Sequence, residues 1–341
     1  MTITPRAFCI YTHNQKAIGA TYLMKAIILK DTHFRFGFTP PRGRTPDFED
    51  AIKDKLAQVM GIAKEHNATT LILTGDSTDI KAPSAYGIEQ VRKNLAVFKY
   101  LRTHFTNIYD IAGNHSLPFS SLEYKEQSFY HLLAEQNLIT DISNSAVMLT
   151  PNLRLYGIPY LPNHSQVKEL MLELDKDPTP TIYLIHEHLV PTEKDRLPFG
   201  SCFTYDEITK DLRHCKAIIA GHLHKGYPTI THNGILIINQ WNFTRLARDY
   251  YALNGDHIPE ATLLDFETLQ YRTFQLKVKH FDEAFRIEEL KTQQSLEMDI
   301  SEFVSGANLT SDQTADIENI PDKLRERVQH YLDLAKQQLG A

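Results

Sequence analysis

Five apolar runs in this chain each end in a short segment rich in Asp, His or Asn. Ala26–Leu29 leads through Lys30 into Asp31-Thr32-His33, Thr70–Thr74 (TLILT) into Gly75-Asp76-Ser77-Thr78-Asp79, and Ile108–Ala112 into Gly113-Asn114-His115. Thr181–Ile185 (TIYLI) runs into His186, and Ala217–Ala220 (AIIA) into Gly221-His222-Leu223-His224. Runs this short and apolar read as strands buried on both faces, as in parallel sheets covered by helices. Helical periodicity lies between them. Ile52, Leu56, Val59 and Ala63 form one stripe, and Ile88, Val91, Leu95, Phe98 and Leu101 a second. Thr45-Pro46 is expected to open the first helix with Thr as N-cap, and Asn67 to close it. Phe129, Leu132 and Leu133 mark a third helix. Val147–Leu149 and Leu153–Ile158 read as a strand pair turning at Pro151-Asn152, and Gly234–Asn239 as a further strand. This alternation predicts a layered α/β core.

In such sheets ligands bind outside the carboxyl ends of the strands, so the five polar segments should converge on one edge. Each segment alone has a plainer reading. Gly113-Asn114-His115 is an ordinary turn sequence, Asp31-Thr32-His33 a loop, His186 a satisfied core histidine and His188 a surface group or one that backs a ligand. His222 and His224 are more specific, because residues two apart on an extended segment point the same way. Together the segments offer two carboxylates (Asp31, Asp76), one amide oxygen (Asn114) and four imidazoles (His33, His186, His222, His224). That set would crowd one metal. It suits two metals sharing a carboxylate, the device used for phosphoryl transfer, and Mn, Fe or Zn more than Mg or Ca. His115 is left over as a general acid or a stabiliser of charge at phosphorus.

Composition closes several alternatives. Lys plus Arg total 36 against 42 Asp plus Glu, a net charge of −6, which excludes a strongly basic nucleic-acid coat protein. The cysteines Cys9, Cys202 and Cys215 form no CxxC pair, so neither a disulfide framework nor a thiolate zinc site is implied and a cytoplasmic setting fits. No apolar run approaches the ~20 residues that span a bilayer, so no membrane association is expected. The first residues lack a signal-peptide core. No GxxxxGK[ST] loop is present, so any ATP-driven step would come from another chain.

The order D-x-H, GD-x-x-D, GNH, a lone H and GH-x-H resembles the calcineurin-like metallophosphoesterase superfamily over about residues 24–265. The resemblance implies a four-layer α/β fold, a two-sheet β-sandwich flanked by helices, with a small C-terminal capping domain and a helical tail. It implies that Asp31, His33, Asp76 and His224 hold one metal, and that Asp76, Asn114, His186 and His222 hold the other. His115 would be the catalytic histidine, with Asp79 beside it. The ions would be two divalent metals, foremost Mn²⁺, with Mg²⁺, Fe²⁺ or Zn²⁺ as alternatives. Lys30 stands where Gly or Ser commonly precedes the first Asp, and Ser116 where Asp or Glu commonly follows GNH.

Gly75–Ile80 followed by Ala82-Pro83-Ser84-Ala85-Tyr86 is similar to the SbcD-type nuclease subunit of double-strand-break repair, some phage-encoded members of which have about this length. The Asn239–Arg245 segment (NQWNFTR) sits where that family has a Pro-Gly-Ser loop. The resemblance implies an exo- or endonuclease in DNA recombination, repair or replication, working with an SbcC-like coiled-coil ATPase as a homodimer or heterotetramer. A phosphatase or phosphodiesterase of small phosphoesters is the rival reading. Arg35, Arg42 and Arg44, interleaved with Phe34, Phe36 and Phe38, are candidate phosphate contacts.

The expected divisions are an N-terminal extension (1–23, with Met24 a candidate start), a nuclease domain (24–265), and a capping segment with partner-binding helices (266–341). The last part carries a stripe of Leu324, Val328, Tyr331, Leu332, Ala335 and Leu339 after a polar stretch at 293–314. With 9 Lys or Arg against 14 Asp or Glu, residues 266–341 hold nearly all of the net negative charge, which suits a protein partner better than DNA.

Overall fold

The computed structural model describes residues 25–41, 43–196, 202–246 and 257–286. The N-terminal extension, Arg42, the polar stretch at 293–314 and the C-terminal stripe from Leu324 to Leu339 lie outside the described residues. The strands are β1 (Lys25–Leu29), β2 (Thr70–Leu73), β3 (Asn107–Asp110), β4 (Thr140–Asp141), β5 (Ser145–Thr150), β6 (Leu153–Ile158), β7 (Thr181–His186), β8 (Leu189–Val190), β9 (Phe203–Thr204), β10 (Cys215–Gly221), β11 (Ile230–His232), β12 (Ile235–Ile238), β13 (Glu260–Asp265) and β14 (Tyr271–Gln275). The principal helices are α1 (Phe48–Glu65), α2 (Ile88–Arg102), α3 (Phe129–Glu135), α4 (Ser165–Leu174) and α5 (Tyr205–Thr209).

Among the described residues two six-stranded sheets form, in the orders β14-β13-β1-β2-β3-β4 and β11-β12-β10-β7-β6-β5, with β8-β9 as a small ribbon. The central pairs β1–β2, β2–β3, β6–β7, β7–β10 and β10–β12 are parallel. Strand alternation builds the layers. Ala26, Ile28 and Ile72 of one sheet meet Leu155, Ile182, Leu184, Ala217 and Ile219 of the other in a core between the sheets. The opposite side chains, Ile27, Leu29, Leu71 and Leu73, pack under Ile52, Leu56 and Val59 of α1 and Phe98 of α2. On the second sheet Tyr183, Ile185, Ile218 and Ala220 pack under Val167 and Met171 of α4 and Ile208 of α5. This is the layered α/β core that the alternation predicts, in the four-layer, two-sheet form that the resemblance implies.

Helix α1 begins two residues later than expected. Asp47 occupies the N-cap without a side-chain cap bond, because the Thr45 hydroxyl is turned to Asp47 Oδ1 and to the Ala284 carbonyl, 3.0 Å away. Its end follows expectation. Asn67 takes a left-handed φ of 54°, and the amides of Ala68 and Asn67 close back on Ala63 and Lys64 in a Schellman arrangement. The last strand runs over Tyr271–Gln275 and pairs with β13 as a hairpin. The hairpin straddles residue 266, and the compact unit that carries both sheets runs to Ala284. No helix among the described residues is long and apolar enough to cross a membrane.

Candidate metal centre

All five polar segments lie just beyond, or at the last residue of, their strands, and the parallel pairing brings β1, β2, β3, β7 and β10 to a common carboxyl edge. The backbone there is strained. Asp31, His33, Asp76 and His222 hold φ values of 44°, 42°, 46° and 79°, a region that non-glycine residues rarely occupy and that marks functional sites. Two glycines permit the close approach. A Cβ on Gly75, itself at φ +88°, would lie 2.4 Å from His186 Nδ1, and one on Gly113 would lie 2.2 Å from Asp76 Oδ1.

The donors gather in two groups, His33–Asp79–His115 and Asp76–His186–His222, each with ligand atoms within 4.8 Å of one another. His33 Nδ1 is 2.7 Å from Asp79 Oδ1 and its Nε2 is 3.1 Å from His224 Nε2. His186 Nδ1 is 2.8 Å from the Thr74 carbonyl, while its Nε2 lies 3.2 Å from both Asn114 Oδ1 and Asp76 Oδ2. Asp79 and the Thr74 carbonyl can only accept, so they place the Nδ1 protons of both imidazoles and turn the Nε2 lone pairs inward, as outer partners of metal-bound histidines do. Asp31 Oδ1 accepts from the His222 amide at 3.1 Å. Its Oδ2 is buried with no hydrogen-bond partner. An orphaned carboxylate oxygen and inward-facing imidazole nitrogens fit a divalent cation.

Electrostatics agree. Burial opposes ionisation of Asp76, yet His186, His33 and His115 outweigh it and hold the carboxyl well below the usual range. Burial likewise opposes a charge on His186, but Asp76 and Asp31 push it up to about 9. His222 is held well below the ordinary value by burial and the neighbouring His186 and His188. The cluster therefore favours positive charge between its carboxylates, which protons supply when no metal does.

A profile of calcineurin-like phosphoesterases matches residues 24–226. The chain belongs to the calcineurin-like phosphoesterase family. No curated protein gives a significant match. Among solved structures, TT1561 of Thermus thermophilus aligns with 12% identity and a TM-score of 0.46, covering 75% of this chain and 100% of that one. A dimetal phosphatase from Danio rerio aligns with 10% identity and a TM-score of 0.46, covering 75% and 100%. Calcineurin-like phosphoesterases are hydrolases of phosphoric esters that use a dinuclear divalent metal site, and this chain carries candidate ligand groups for it.

Outside the ligand set of this phosphoesterase the arginine loop departs from expectation. Arg44 is buried, its Nη1 donates to the Arg245 carbonyl at 3.0 Å, and its guanidinium covers the Phe48 ring at 5.0 Å. These contacts brace the fold. Arg35 is one-third exposed, 3.8 Å from Asp79 Oδ2 and 5.2 Å from the centre of the Phe38 ring. Phe34 and Phe36 belong to the core. The Asn239–Arg245 segment supports the first ligand loop from beneath. Phe243 N donates to the Lys30 carbonyl at 2.7 Å, the Thr244 hydroxyl to the Thr32 carbonyl at 2.6 Å, and Lys30 Nζ to Asn239 Oδ1 at 2.6 Å. Burial pushes Lys30 down to about 8, against the pull of Asp31 and Glu260. Two supporting groups escape sequence reasoning. The Thr74 carbonyl is a backbone atom without a residue signature, and Tyr160, 5.4 Å from the His222 ring, follows no motif. His188, stacked on His222 at 4.0 Å, is marked in the sequence only by its place two residues after His186.

Proposed function

We propose that this phosphoesterase is a metal-dependent nuclease that hydrolyses DNA phosphodiesters in recombination, repair or replication. The observation that carries the proposal is the pair of convergent donor groups, with His115, one-third exposed, among them. Asp31, His33, Asp76 and His224 would hold one divalent ion, Mn²⁺ foremost, and Asp76, Asn114, His186 and His222 the other. Bound there, the ions supply Lewis-acid charge at phosphorus and make water a better nucleophile at neutral pH.

The chain's own residues do the rest. Asp79 and the Thr74 carbonyl fix the orientation of His33 and His186. The His115 amide donates to Asp76 Oδ1 at 2.7 Å, and its Nδ1 lies 3.9 Å from Asp79 Oδ1. These contacts set the imidazole where it can give a proton to a leaving oxygen or stabilise charge at phosphorus. Arg35 supplies a cation for a flanking phosphate. The Gly75–Tyr86 resemblance supports the DNA substrate, and the acidic segment 266–341 supports an SbcC-like ATPase partner. A second reading, hydrolysis of small phosphoesters, is favoured by the burial of Arg44, which removes one cation from the expected phosphate-binding loop.

Purified protein with Mn²⁺, duplex DNA and bis(p-nitrophenyl) phosphate separates the readings. Cleavage of both substrates is expected. Hydrolysis of the small diester with the DNA left intact would favour the second reading, and inertness of the metal-loaded protein toward every phosphoester would overturn both.

A further inference from the structure

The loop after His115 presents an aromatic ring to solvent. Leu117 and Pro118 turn inward and are buried, yet the next residue, Phe119, is 83% exposed. Its backbone is not free to relax. Phe119 and Ser120 both hold φ at 52°, two consecutive side-chain-bearing residues in a conformation that favours glycine. Three bonds hold them there. Ser120 N donates to the Leu117 carbonyl and Ser121 N to the Pro118 carbonyl, each at 3.2 Å. The Ser120 hydroxyl donates to the Asn114 carbonyl at 3.0 Å, which ties the loop to a candidate metal-ligand residue. Tyr124 backs the ring edge-on, with centroids 5.1 Å apart.

An exposed Phe on a pliant loop would fold back onto apolar surface. This one is locked outward beside the site, at a cost in backbone strain, and such strain persists where function uses it. A rigid ring already ordered before binding loses little entropy on contact. The partner it suits is a flat π-face attached to the phosphoester.

We propose that Phe119, braced by Tyr124, is a stacking platform for a nucleobase carried by the substrate. The proposal rests on the reading that the site hydrolyses nucleic-acid or nucleotide phosphoesters, and it names which part of that substrate is gripped outside the phosphate.

The test compares a single-stranded oligonucleotide with a fully abasic strand of the same length, in Mn²⁺. Stacking on a protein ring is worth about 5- to 150-fold per base, so the wild-type KM should be lower for the base-bearing strand by a factor in that range. In Phe119→Ala that preference should collapse towards one, with kcat little moved, and Phe119→Trp should restore it. Phe119→Gly separates folding from binding. It should lose the preference while its Tm rises, because glycine relieves the left-handed strain. A preference equal to wild type in Phe119→Ala, or a loss that falls on kcat alone, overturns the platform. If the wild type cleaves neither strand but hydrolyses small phosphoesters, the nuclease reading fails by itself. The platform is then judged by the same criterion on a nucleoside monophosphate against glycerol phosphate.

Discussion

His33 and His224, separated by 191 residues in the chain, bring their Nε2 atoms to 3.1 Å of each other at the edge of the sheets. Asp79 holds the far side of the His33 ring, so the His33 Nε2 lone pair points into the small volume that it shares with His224 Nε2. A shared cation relieves that arrangement. Divalent metal should therefore stabilise the fold, by about 2.7 kcal/mol at 100-fold its Kd, or roughly 5–10 °C in Tm. Melting with Mn²⁺ and with chelator measures it. His224→Ala should halve the calorimetric stoichiometry from two ions to one, and an unchanged stoichiometry would remove His224 from the ligand set.

Asp76 and His115 should separate by function. Asp76 lies between both donor groups, 3.2 Å from His186 Nε2 and bonded to the His115 amide. Asp76→Ala should lose metal and hydrolysis together. His115→Ala should keep both ions and lose about 10²–10⁴ in kcat, the usual share of a positioned acid–base group. Metal loss in the His115 variant would make that residue a ligand instead.

Two glycines should respond oppositely to the same added methyl. A Cβ on Gly113 would meet Asp76 Oδ1 at 2.2 Å and the Asp76 backbone nitrogen at 2.5 Å, whereas one on Gly61 in α1 meets nothing within 4 Å. Gly113→Ala should abolish metal uptake, because backbone cannot step aside. Gly61→Ala should stabilise the fold by about 0.5–1 kcal/mol through its better helix propensity. Denaturant titrations of the two variants beside wild type give the comparison.

Asp110, fully buried at the end of β3, gives stability a pH dependence. Its Oδ1 accepts from the amides of Gly75 and Ile111, but burial dominates and pushes the carboxyl up to about 7. The unfolded carboxyl titrates near about 3.9. Between about pH 4 and 7 the native state binds more protons than the unfolded chain, so this group's contribution to stability falls as pH rises through that window. Asp110→Asn retains an oxygen for both amides and does not ionise. Its Tm relative to wild type should be near zero at pH 4 and rise towards pH 8. A pH-independent difference would show that Asp110 does not titrate there.

Much of the site is legible in the sequence because each donor segment follows an apolar strand run, and the strand ends of a parallel sheet have a defined chemical role. The arginine loop is not, because charge alone does not say which side chain meets solvent. Arg44 has long methylenes and a planar head that pack over Phe48, a use that composition does not distinguish from phosphate binding. The β8–β9 ribbon carries no clear mark because its strands are two residues long, too short to set a period.

The sequence by itself determined the elements and the kinds of donor at their ends, since apolar periodicity and turn chemistry act between near neighbours. Only the tertiary structure decided which donors meet. Strand order sets that, and it is fixed by burial summed over both sheets. The placing of β10 beside β7, and the facing of the two sheets, bring His224 to His33 and His222 to His186. The outward lock on Phe119 belongs to the same level, because it depends on a hydroxyl reaching the Asn114 carbonyl in folded space.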